Sequence, residues 1–302
     1  MSIIAGLAPA KINLSLRVVC RRPDGYHDLD SVVAFLDLCD SILFSPAPSG
    51  TQELHITGRT ASIPADSTNL VLRAATALCD HTGKDLPFSA VLDKRIPAGS
   101  GLAGGSSDAA TTLQALNELH ELNLSTEQLQ QIGATVGSDV AMFIGAGNGS
   151  CRITGRGEVV EVLDWSPGGY CLLLLPDLHV PTPAVYAVWD QAPFSSPAGR
   201  AAGFDGLNSA DAWIDRCFND LQPAAFRLFP QLEQIQTQAE DVCGRPVRLT
   251  GSGSAMFTAF DEAEQANRMA ERIGREVDVE TLVVPFRTGA GNKLPEVQHA
   301  DH

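Results

Sequence analysis

The chain has 302 residues, 44% of them hydrophobic and 19% charged, which is ordinary globular usage and excludes disorder throughout. A net charge of −15 is the opposite of the clustered cations that displace counterions from a phosphate backbone, so the sequence predicts no nucleic-acid partner. No apolar run approaches the roughly 20 residues that a bilayer span requires, which predicts no membrane partner.

Alternation opens the chain. Ile12, Leu14, Leu16 and Val18 face one way and Lys11, Asn13, Ser15 and Arg17 the other, the pattern of a half-buried strand. Arg22-Pro23-Asp24-Gly25 predicts a turn, because proline fixes φ and glycine tolerates positive φ. Strands are expected at 32–36, 41–44 and 54–57, then a helix over 68–79 with Gly83 as its stop. A strand over 88–93 feeds a glycine-rich loop and a helix whose apolar face carries Ala109, Leu113, Leu116 and Leu119. Ser125 with Gln128 forms a capping box that opens a second helix, ending near 133–137.

Strands at 150–153 and 169–175 follow. Thr182-Pro183 is read as an N-cap with proline behind it. The Ala-, Gly-, Ser- and Pro-rich stretch 191–206 reads as a mobile loop. Helical patterns dominate 209–243. Strands at 248–250 and 255–260, a helix over 262–273 and a strand at 281–286 close the chain, with a frayed tail after Arg287. The sequence predicts an α+β chain of two domains, residues 1–160 and 161–302. Seven cysteines, an odd number without a C-x-x-C pair, predict reduced thiols and a cytoplasmic protein with no metal site. The N-terminal MSIIAGLAPAK lacks the basic region and apolar length of a secretory leader.

The loop is the most informative stretch: Pro97, Ala98, Gly99, Ser100, Gly101, Leu102, Ala103, Gly104, Gly105, Ser106 and Ser107. Glycines admit an anion close to the backbone, and the helix start behind them supplies free N–H groups and the positive dipole end. That combination predicts a di- or triphosphate cradle. Gly99-x-Gly101-x-x-Gly104 matches the dinucleotide fingerprint formally, but two successive helices follow where a βαβ unit is needed. Gly105 stands where a Walker A loop requires lysine, and neither H-R-D nor D-F-G occurs.

Pro9-Ala10-Lys11-Ile12-Asn13-Leu14, Pro97 to Ser107, and Gly251-Ser252-Gly253-Ser254-Ala255 together resemble the three motifs of the GHMP kinases, in order and in spacing. Within that family, Arg21 to His27, the doubled Gly104-Gly105 before Ser106-Ser107-Asp108, Gly137-Ser138-Asp139-Val140 and Asn219-Asp220-Leu221 resemble the branch whose substrate is a cytidine-diphosphate-linked sugar alcohol. Ser100 and Ala103 stand where the family often has glycine.

The resemblance implies a two-lobed fold, with a ribosomal S5-like first domain and a ferredoxin-like second domain. It implies ATP and Mg²⁺, a small-molecule substrate, and a monomer or homodimer. Lys11 and Asp139 become the catalytic pair, with residues 97–107 on ATP and Asn13, Tyr26, His27, Thr182 and Tyr186 on the acceptor. Ser107 and Asp108 are expected as outer contacts of the metal, without a dedicated metal ligand. The residues alone leave blander readings open: Asp139 as a helix cap, Lys11 as a solvated strand residue, Tyr186 as helix packing. A kinase for homoserine or mevalonate, and a nucleotide sensor without catalysis, are the competing functions.

Overall fold

The structure, a computed structural model, describes residues 3–59, 63–146, 149–192 and 203–288. The predicted frayed tail and most of the predicted 191–206 loop lie outside those residues.

The first half runs β1 (Ile4–Arg21), β2 (His27–Pro46), β3 (Gln52–Gly58), α1 (Leu70–Thr82), β4 (Phe88–Lys94), α2 (Gly104–Leu119), α3 (Thr126–Val136), α4 (Val140–Gly145), β5 (Ser150–Gly155) and β6 (Val159–Val162). The second half runs β7 (Tyr170–Leu175), α5 (Thr182–Gln191), α6 (Ala210–Ile214), β8 (Phe218–Asn219), α7 (Gln222–Leu228), α8 (Pro230–Cys243), β9 (Arg248–Leu249), β10 (Met256–Phe260), α9 (Ala263–Glu276) and β11 (Glu280–Pro285).

Local chemistry sets several boundaries. Asn69 caps α1 by accepting from Val71 N, and Gly83 ends it in the left-handed region at φ 66°. Ser125 and Gln128 form the reciprocal capping box of α3. At α5 the expectation shifts by one residue: Pro181 occupies the cap position, so Thr182 and Pro183 lie inside the first turn. The two strands expected at 32–36 and 41–44 are one 20-residue strand, β2. Its pairing with β1 slips between Pro9 and Ala10, between Asn13 and Ser15, and between Val18 and Cys20. Such bulges let one long ribbon bend and carry a core on each side.

The first sheet has the order β3-β4-β2-β1-β8, with β5 on β2 and β6 on β5. The second is antiparallel in the order β11-β7-β10-β9, a ferredoxin-like arrangement. The sheets face one another across a core of Ala10, Ile12, Leu14, Val32, Ala34 and Leu36 against Leu173, Leu175, Phe257 and Ala259. Helices α1–α4 cover the outer face of the first sheet over Val33, Phe35 and Phe88. Helices α5 and α7–α9 cover the second over Leu172, Leu174 and Phe260. This explains why 171–175 is an unbroken apolar run, since a strand buried on both faces has no polar side. The seam matters for the site: β8 belongs to the later half of the chain yet lies parallel to β1 at Ser15 and Leu16.

Candidate active site

A cleft of about 1030 Å³ opens between the two halves. It gathers Lys11, Asn13, Tyr26, His27, Asp139, Thr182 and Tyr186, together with Pro97–Gly101 and Ala103–Ser106. Two residues of the predicted cradle do not line it. Leu102 is buried in the core between the sheets, although its carbonyl accepts from Lys11 N at 3.1 Å. Ser107 is buried behind the cleft wall.

Lys11 is buried, not solvated. Its Nζ donates to Asn13 Oδ1 at 2.8 Å and stands 3.8 Å from Asp139 Oδ2. Burial pulls the ammonium below its ordinary pKa, and the Asp139 charge pulls it partly back. Asp139 occupies the cap position of α4 but makes no capping hydrogen bond, so its carboxylate remains available to the cleft.

Asn13 joins the two halves. Its Oδ1 accepts from Gly251 N at 3.1 Å, its own N–H donates to Thr250 Oγ1 at 3.0 Å, and its Nδ2 donates to Ser31 Oγ at 2.9 Å. Asn219 secures the same loop by donating to the carbonyls of Leu249 and Gly251, each at 2.8 Å. Glycine is required opposite: a Cβ on Gly101 would meet Thr250 O at 2.6 Å. The 251–255 motif therefore packs directly on the phosphate loop, and Ala255 N donates to Ser100 O at 2.9 Å.

No side chain caps the N-terminus of α2, whose cap residue Ala103 sits in the left-handed region at φ 58°. Uncapped N–H groups facing a cleft form an anion site. The conformation is one glycine takes freely, so alanine here carries strain that its small size alone does not reveal. Behind the loop, Lys94 bonds Asp40 and reaches Asp108 Oδ2 at 2.6 Å, all three buried. Asp40 Oδ1 also accepts from Arg95 N and Ile96 N at 2.6 and 2.8 Å. Burial works against the Lys94 charge, but Asp108 and Asp40 together raise its pKa. Asp108 Oδ1 and Ser107 Oγ are buried oxygens with no hydrogen-bond partner among the described residues.

At the far end, the His27 ring stacks on Tyr186 with centroids 4.6 Å apart and meets Trp189 edge-on. His27 Nε2 lies 2.8 Å from Asp190 Oδ1, and Arg21 Nε stands 3.6 Å from Asp190 Oδ2. Burial, with the Asp139 charge, raises the Tyr186 pKa, which places the stack within electrical reach of Asp139. Tyr26 is exposed. Thr182 Oγ1 and Ser252 Oγ are hydrogen-bonded at 2.7 Å, closing the wall between α5 and the 251–255 loop.

Sequence reasoning missed Asp190, Asp40 and Lys94. Their partners lie 163, 54 and 14 residues away, with no local motif to join them.

Residues 69–147 match the family model of the GHMP kinases N terminal domain, and residues 204–279 that of the GHMP kinases C terminal domain. A 4-diphosphocytidyl-2-C-methyl-D-erythritol kinase of Shewanella loihica is 38% identical over 267 residues, 88% of each chain. One from Brucella melitensis is 39% identical over 280 residues, 90% of this chain and 91% of that one. The chain belongs to the GHMP kinases. Its branch is that of the 4-diphosphocytidyl-2-C-methyl-D-erythritol kinases, and it is a phosphotransferase. The crystal structure of a 4-(cytidine 5'-diphospho)-2C-methyl-D-erythritol kinase superposes with a TM-score of 0.73 at 32% identity, covering 95% of this chain and 100% of that one. A homoserine kinase from Cytophaga hutchinsonii shares the fold, with a TM-score of 0.70 at 18% identity and 96% of each chain covered. No helix among the described residues is long and apolar enough to cross a membrane.

Proposed function

We infer that this GHMP kinase transfers the γ-phosphoryl group of ATP to the 2-hydroxyl of 4-diphosphocytidyl-2-C-methyl-D-erythritol, in the cytoplasm. The observation that carries the reading is one cleft holding a Lys–Asp pair, a glycine-rich loop at a helix start and an aromatic stack. A small aliphatic acceptor such as homoserine or mevalonate has no base for that stack to meet.

Phosphoryl transfer needs positioning and charge stabilisation more than covalent chemistry from the protein. Asp139 accepts the proton of the acceptor hydroxyl. Lys11 orients that carboxylate and stabilises negative charge as it shifts between the hydroxyl oxygen and the γ-phosphoryl group. Lys11 is buried and backed by Asn13, so its charge acts in a medium of low effective dielectric. Pro97–Gly101 and Ala103–Ser106 cradle the triphosphate against the start of α2 through uncapped N–H groups. Asp108, which lines the cleft with its Oδ1 unpartnered, would hold Mg²⁺ beside phosphate and water, as this hard cation takes few protein oxygens, whereas Ser107 Oγ, behind the cleft wall, would not reach it. The cation neutralises charge on the phosphates when bound.

Tyr26 and Tyr186 serve the cytosine. His27 covers one face of Tyr186, so a base stacked on that ring uses the other face.

ATP-to-ADP turnover by the full chain with Mg²⁺ tests the reading, with the diphosphocytidyl alcohol, homoserine, mevalonate and galactose as separate acceptors. Turnover with the diphosphocytidyl alcohol at least about a hundredfold above the others is expected, since a lost stack and lost polar partners together remove that much discrimination. Preference for any other acceptor contradicts it.

A further inference from the structure

The turn between β5 and β6 lies between the aromatic end of the cleft and Asp139. Gly155 and Gly157 take positive φ of 69° and 117°, and Arg156 N donates to Glu158 Oε2 at 2.6 Å, so the turn holds its own shape. A Cβ on Gly157 would stand 3.1 Å from Ser138 O and 3.9 Å from Asp139 Oδ1, which presses the turn against the segment carrying the proposed base. From that turn the Arg156 guanidinium extends over the Tyr26 ring, 4.8 Å from its centroid, and lines the same cleft.

Its charge is uncommitted. The other lysines and arginines lining the cleft each have a carboxylate within 4.0 Å: Lys11 has Asp139, Arg21 has Asp190, and Lys94 has Asp40 and Asp108. Among the described residues, Arg156 has none within that distance. The Asp24 carboxylate feels its charge from farther away. A guanidinium braced on an aromatic face by a rigid turn presents its remaining N–H donors to an oxyanion as a preset fork.

We propose that Arg156 binds the diphosphate of the acceptor. The inference rests on the acceptor reading above. A diphosphocytidyl alcohol with its base at Tyr26 and its hydroxyl at Asp139 runs its two phosphates between those points, past the β5–β6 turn. Arg156 supplies the cation there, and it makes the Tyr26 ring and the diphosphate parts of one subsite.

Binding of cytidine and of CDP to the full chain, by calorimetry, tests this without turnover. Wild type is compared with Arg156→Gln, which removes the charge, and Arg156→Lys, which keeps it. The expected result is a loss of about 10- to 100-fold in CDP affinity for Arg156→Gln, the scale of a charged hydrogen bond, with cytidine affinity changed less than about threefold. Arg156→Lys recovers most of the CDP affinity. Equal losses for cytidine and CDP reduce Arg156 to a support for the Tyr26 ring and overturn the proposal, as does unchanged CDP binding. Wild type that binds neither ligand refutes the acceptor reading itself, a result distinct from either of those.

Discussion

Asn13 holds Lys11 against the opposite half of the molecule: its Oδ1 accepts from Lys11 Nζ at 2.8 Å and from Gly251 N at 3.1 Å. One amide thus orients the cleft's buried ammonium and closes the seam between the two sheets. Asn13→Ala removes the Lys11 partner, and a hydrogen bond to a charged group is worth about 1.5–3 kcal/mol. The expected outcome is a fall in kcat of about 10- to 100-fold. Urea unfolding should show a lower midpoint in the same variant, because Gly251 N and Ser31 Oγ lose partners as well.

The ionisation of Lys11 gives a signed pH dependence. Burial sets its folded pKa below the unfolded value of about 10.4, so between those two values the unfolded chain binds more protons. The Lys11 contribution to stability therefore rises with pH across that window and is lost as pH falls through the folded pKa. Activity moves the other way, since the reaction uses the charged form. The alkaline limb of kcat/KM is expected below pH 10.5, and residual activity of Asp139→Asn should show it lower still, because the carboxylate that raises the pKa is gone. A limb that moves upward in the variant contradicts the pairing.

Lys94 is expected to matter for stability more than for contact with ligand. Lys94→Met leaves Asp40 and Asp108 buried side by side without their cation, and breaking a buried ion pair costs about 3–5 kcal/mol. Chemical denaturation measures this directly, and a loss under about 1 kcal/mol would show that the two carboxylates find other compensation.

Much of the fold was legible because periodicity is local. The β1 alternation, the Gly83 stop of α1 and the Ser125–Gln128 box all sit within a few residues of the elements they define, whereas the Asn69 cap that starts α1 was not read. Elements whose stability comes from elsewhere were not legible. Strand β6 has no buried residue of its own and exists by pairing with β5, and α4 is too short and too uniformly apolar to show a period. The helical reading of 209–243 concealed β8, two residues whose partner on β1 is some 200 positions away. Likewise the motif residues of the site could be read one by one, but the Asn13–Gly251 bond and the Asp190–His27 contact span 238 and 163 positions and exist only in the folded chain.

Tyr186 separates stacking from hydrogen bonding. Its ring carries the contact with His27, and no hydrogen bond of its hydroxyl occurs among the described residues. Tyr186→Phe is expected to keep KM for the nucleotide acceptor within about twofold. Tyr186→Ala should raise it by about 10-fold or more, as a base–aromatic stack is worth about 1–3 kcal/mol, with KM for ATP unchanged. Steady-state kinetics with each substrate varied in turn checks both.

The central claim is that Asp139 takes the acceptor proton beside Lys11. The most direct test is turnover of the diphosphocytidyl alcohol and ATP by Asp139→Asn, a change that keeps shape and removes the base. The expected result is a loss of about 10²–10⁴-fold in kcat with CDP binding retained. A variant that keeps kcat within about tenfold of wild type would contradict it and leave Lys11 and the phosphate cradle to carry the reaction by positioning and charge alone.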